Sequence, residues 1–172
     1  MSKRKADLKR YCEAVRQQGG VARAVKVKKI PFDERSVLKC FYGCSEHGKK
    51  YHCPEKEDLP FFFRRIELLK KYRWAIILGS TDRKQTQEMS LEIEKMCFYD
   101  GHYWAMSFAD CSLCQTCGKG EGRACPHPEK SRPGFHTIGV DVFRTCKKWD
   151  LPLTVLTATT PQPNWYAVVF VE

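Results

Sequence analysis

The sequence predicts an α/β fold: a central, mostly parallel or mixed sheet flanked by helices, with two cysteine-rich metal-binding loops. Three observations carry this reading. Two short runs, Trp74–Leu78 and Trp165–Val171, are wholly apolar, as central strands covered on both faces are. Around them lie stretches whose apolar residues recur at helical spacing. Seven of the ten cysteines stand apart from both kinds of stretch, in two groups.

In chain order, residues 4–17 put Leu8, Tyr11, Cys12 and Val15 on one helical stripe, and Gly19 and Gly20 end it. Cys12 reads there as a small buried hydrophobe rather than a ligand. Residues 21–30 alternate imperfectly and suit a strand near a sheet edge, where lysines discourage edge-to-edge pairing. Asp58, Leu59 and Pro60 open a helix with an N-cap and a first-turn proline, and Phe62, Phe63, Ile66 and Leu69 form its inward stripe.

After the Trp74 run, residues 80–99 form another amphipathic helix, with Met89, Ile93, Met96 and Cys97 inward and Gly101 past its end. Residues 103–108 read as a strand that delivers the chain straight into Cys111, and α/β sheets place chemistry at the carboxyl ends of strands. Phe135, Ile138, Val142 and Cys146 predict one further helix. Its N-terminus would lie beside the second cysteine group, where backbone N–H groups favour negative charge.

That second group is Cys111, Cys114, Cys117 and Cys125, the last followed by Pro126. No single helix or strand face buries three sulfurs at every third position, but such a run can wrap a compact inorganic core. The bacterial ferredoxin run is C-x2-C-x2-C-x3-C-P, holding a cubane cluster. Here the last spacer is longer, and the reading is a [4Fe-4S] site. Zinc is the competing reading, since a triplet plus one distant cysteine could supply a tetrahedron. A disulfide framework fits less well in a chain this long that begins MSKRK without an apolar signal segment.

The first group is Cys40, Cys44 and Cys53, spaced C-x3-C-x8-C and followed by Pro54. Three thiolates can hold a cubane with one iron open to water or substrate. His47 and His52 lie between them as candidate fourth ligands, against the commoner exposed role of loop histidines. Cys146 is a spare ligand that its inward position disfavours. Cys125 either closes the triplet's own site or, as in two-cluster ferredoxins, ligates the other cluster. Arg123, Lys130 and Arg132 add positive charge beside the second group, which favours a reduced cluster; Arg132 could equally tie the loop to a helix end. Asp110 and Asp141 could handle protons near the clusters, although a cap or a salt bridge to Arg132 or Arg144 is the commoner role.

The length suits one domain with a real hydrophobic core: residues 1–172 form a single iron–sulfur-binding domain, with 1–20 as an N-terminal helical extension. No apolar run approaches a membrane span, so a cytoplasmic location is expected, where thiols stay reduced and ligate metals. The formal net charge of +10 points to nucleic acid, an anionic substrate or an acidic partner. Seven cysteinates around two dicationic cubanes would leave about +7, still basic. There is no dinucleotide fingerprint and no phosphate loop.

The residues also carry a resemblance. Cys40, Cys44 and Cys53-Pro54, then Cys111, Cys114, Cys117 and Cys125-Pro126-His127-Pro128-Glu129-Lys130, with Arg132-Pro133 and Gly139-Val140-Asp141-Val142-Phe143, resemble an uncharacterised family of predicted metal-binding (iron–sulfur) proteins of anaerobic bacteria and archaea, a domain of unknown function. The resemblance runs from about Cys40 to about Thr145 and implies those seven cysteines as ligands. The chain departs from it at Glu55 and at Gly134-Phe135-His136.

Three functions are expected in order of support. The first is a protein with two [4Fe-4S] clusters that transfers electrons to a redox partner protein. The second is a cluster-dependent enzyme using the open iron of the three-cysteine site. The third, disfavoured because basic residues are spread along the chain, is a zinc-stabilised nucleic-acid-binding module stacking on Phe41, Tyr42 and Tyr51.

Overall fold

The computed structural model describes residues 3–55, 59–157, 159 and 162–172, and for residues 3–6 and 59–63 it describes the backbone alone. Strands β1 (Val21–Lys26), β2 (Trp74–Ser80), β3 (Met106–Phe108) and β4 (Trp165–Val171) form a four-stranded sheet in the order β1-β2-β4-β3. Helices α1 (Lys3–Gln17), α2 (Arg35–Gly43), α3 (Leu59–Leu69), α4 (Arg83–Tyr99) and α5 (Val142–Lys148) accompany it.

The α/β class is as expected, but every neighbouring pair of strands is antiparallel, which corrects the expected parallel or mixed sheet. The wholly apolar runs reflect burial on both faces, and that burial does not depend on strand direction. β2 and β4 pair along their full length, from Trp74 opposite Val171 to Ser80 opposite Trp165. Side chains then alternate between two cores. Ala75, Ile77, Val168 and Phe170 face one core, completed by Leu69, Phe135, Ile138 and Cys146. Ile76, Leu78, Ala167 and Val169 face the other, covered by Tyr11 and Val15 of α1 and Met89, Ile93 and Cys97 of α4. Each large aliphatic side chain so buried contributes about 1.5–3 kcal/mol.

β1 lies at the sheet edge as expected and ends at Lys26, where a 3-10 turn over Val27–Lys29 replaces the longer strand. α4 begins at the Asp82 cap, whose side chain accepts from the Gln85 N–H at 2.7 Å. β3 is shorter than residues 103–108, because Tyr103 and Trp104 stand exposed in a turn and the Tyr72 hydroxyl donates to the Trp104 carbonyl. The helix expected over 135–149 is split. Gly139 takes a φ of +87°, which ends the 3-10 turn His136–Ile138, and Asp141 then caps α5 by accepting from the Arg144 N–H at 2.9 Å.

α2 was not expected. Asp33 accepts from the Arg35 N–H at 3.0 Å to start it, and Val37 packs with Ile66 of α3 to hold it. Ile66 and Leu69 are buried on α3 as predicted, while the Asp58 cap and the side chains of Phe62 and Phe63 lie outside what is described. Among the described residues no helix is long and apolar enough to cross a membrane.

Candidate metal centre

β3 pairs with β4, and Ala109 and Asp110 carry the chain from it into Cys111. From there to Pro133 the chain has no helix or strand except the 3-10 turn Gly118–Glu121. Such a segment needs outside partners for its backbone polar groups. Gln87, fully buried on α4, supplies two: its carbonyl oxygen accepts from the Ser112 N–H at 2.7 Å, and its amide donates to the Lys130 carbonyl at 3.2 Å. Further along, the Arg132 guanidinium pairs with Glu94 of α4 at 2.7 Å and also donates to the Glu129 carbonyl. Glu94 in turn accepts from the Ser107 N–H of β3 at 2.5 Å. Both ends of the cysteine stretch are therefore moored to α4.

Held this way, Cys111, Cys114, Cys117 and Cys125 line one cavity of about 130 Å³. That is comparable with a cavity of about 150 Å³ that admits benzene. All four are half-buried thiols. Cys125 thus lines the same cavity as the triplet. Lys50, His52 and Arg83 share the lining. The positive charge at the cavity comes from Lys50 and Arg83 more than from Arg123 and Arg132: Arg132 is taken up by Glu94, and Arg123 is exposed and paired with Glu121.

The first group is arranged differently. Cys40 is buried on α2, Cys44 is exposed just past that helix, and Cys53 is half-buried after a run of turns. The three feel one another electrically. Burial first, then the charges of Cys44, Cys53 and Asp110, push the Cys40 thiol up to about 12. Nor is any set of three or more His, Cys, Asp or Glu side chains among the described residues already converged on a single ion position.

The two groups lie against each other. The Tyr51 hydroxyl donates to the Arg123 carbonyl, and Lys119 pairs with Glu55 at 3.0 Å. His52 lines the cysteine cavity and is held neutral, to about 4, by burial despite the opposing charge of Asp110. His47 points elsewhere, with Nε2 3.0 Å from the Pro54 carbonyl and its ring against Phe41. Asp110 pairs with Arg83 at 3.6 Å, neither with Arg132 nor as a cap, whereas Asp141 is the α5 cap. Cys12, Cys97 and Cys146 are core residues, as expected.

The sequence model of a family described as predicted metal-binding protein (DUF2284) matches residues 23–171. The chain belongs to this family. No curated protein and no solved structure matches it. The DUF2284 match contains both cysteine groups and leaves out Cys12 and the whole of α1. Sequence reasoning missed Gln87, Arg83 and Lys50 as parts of this DUF2284 site. Gln87 was detectable in principle, as the polar residue among the inward positions of α4.

Proposed function

We propose that this metal-binding chain carries two [4Fe-4S] clusters and transfers electrons to a partner protein. Cys111, Cys114, Cys117 and Cys125 would close one cluster, and Cys40, Cys44 and Cys53 would hold a second with an open iron. The observation that carries the reading is the single cavity lined by all four cysteines of the second group. Four thiolates are the ligand set of a cubane, and a space this broad suits an inorganic core better than a point ion that needs sulfurs at about 2.3 Å. When bound, such clusters supply one-electron chemistry, and the protein's part is position and charge.

Lys50 and Arg83 beside the cavity offset the negative charge of a thiolate-bound cluster. The zinc and nucleic-acid reading draws less support. Of its three stacking residues only Tyr42 stands free in solvent, since Phe41 packs with Val37 and Ile66 and Tyr51 is bonded to the Arg123 carbonyl. An enzymatic role is favoured by one feature, a large groove that shares Asp110 with the surroundings of Cys40.

Separate Cys114→Ser and Cys44→Ser variants, purified without oxygen, test the assignment. Each is expected to lose about four irons while keeping the other four, with a changed spectrum for the remaining reduced cluster. Loss of no iron in Cys114→Ser would remove the basis of the proposal.

A further inference from the structure

On the other side of the Arg83–Asp110 pair from the cysteine cavity lies a groove of about 790 Å³. Its size falls within the range of about 300–1,000 Å³ typical of sites for small organic ligands. The apolar wall is made by Phe135, Val140, Phe143, Leu153, Leu156 and Trp165. Phe135 and Val140 are buried beneath it and belong to the core, so this wall is anchored, and Arg83 stacks over the Trp165 ring at 5.1 Å.

The charged residues on the groove are not equivalent. Its three carboxylates are already engaged: Asp33 by the Arg35 guanidinium at 2.6 Å, Asp110 by Arg83, and Asp141 by the start of α5. Arg35 is occupied by the same bond that satisfies Asp33. What remains is the Lys39 ammonium and the His136 ring, neither of which has a hydrogen-bond or ion-pair partner among the described residues. His136 is drawn close to Asp110 by Gly134: a Cβ there would lie 2.4 Å from Asp110 Oδ1 and 2.9 Å from His136 Cε1.

We propose that this groove is a binding site for a small organic anion with an aromatic or branched apolar body, its carboxylate met by Lys39 and a second polar group met by His136. An apolar body gains by leaving water for the Phe135–Trp165 wall. A cationic ligand would have to compete with Arg35 and Arg83 for Asp33 and Asp110, leaving it the Asp141 cap alone, and a purely apolar one would leave Lys39 unused. The proposal does not depend on which metal the cysteines hold.

The test is calorimetric titration of the whole protein with 2-naphthoate and with the neutral 2-naphthamide. One site per chain is expected, with the acid at least about tenfold tighter than the amide, a difference of about 1.4 kcal/mol. Lys39→Gln should erase that preference by weakening the acid alone. Leu156→Trp should weaken both probes by filling the groove. Lys39 and Leu156 are exposed, so neither change disturbs the core. The same preference should persist in the Cys114→Ser variant, which separates this site from the metal reading. Equal affinity for acid and amide, an unaltered preference in Lys39→Gln, or no binding of either probe at millimolar concentration would overturn it.

Discussion

Gln87 reaches from α4 to two backbone groups of the cysteine stretch, the Ser112 N–H and the Lys130 carbonyl, and among the described residues no other side chain spans both. Gln87→Ala should therefore lower stability by about 1–3 kcal/mol, the cost of unmet buried polar groups, seen as a lower urea midpoint. The same variant should lose bound metal faster on dilution into chelator. Cys146 makes a different prediction. Burial pushes its thiol up from 9.0 to about 12, so the folded protein keeps a proton that the unfolded chain gives up. Its contribution is thus intact below pH 9 and is lost as pH rises from 9 to 12. Unfolding free energy should fall over that window, and in Cys146→Ala the slope should be shallower by up to about 1.4 kcal/mol per pH unit. At this scale the cysteine spacing was plain in the sequence, because ligation leaves a local signature. The Gln87 contacts were not, because they join residues far apart in sequence.

At the level of elements, β2 runs so close to β4 that a Cβ on Gly79 would sit 2.3 Å from the Trp165 carbonyl oxygen. Gly79→Ala should destabilise the protein by about 1–3 kcal/mol through displaced strands, measured as a lower urea midpoint. The Glu94–Arg132 pair, mostly buried, ties the end of the cysteine stretch to α4 and β3 at once. Arg132→Met should cost about 3 kcal/mol by leaving Glu94 without its cation, and Glu94→Gln in the same chain should recover part of it. Helix and strand positions with strong periodicity were legible: α1, α4, β2 and β4 all fall where the apolar pattern puts them. Three features were not. α2 is short and owes its place to Val37 packing on Ile66, the 135–149 stripe is interrupted by the left-handed Gly139, and strand direction leaves no mark on a doubly buried strand.

Across the whole molecule, the antiparallel sheet and α4 form the buried scaffold, and both cysteine groups lie together beyond β3. The Arg83–Asp110 pair stands between the cysteine cavity and the apolar groove, touching both. A metal group and an organic anion could therefore be bound within one neighbourhood. The metal-binding character was legible from cysteine grouping alone, whereas the groove was not, because its walls come from segments with no common pattern. The most direct test of the account is the content of iron, acid-labile sulfide and zinc per chain, on protein purified without oxygen, with spectra before and after dithionite. About eight irons and eight sulfides per chain, bleached by dithionite, are the predicted result. One zinc with no iron would contradict it.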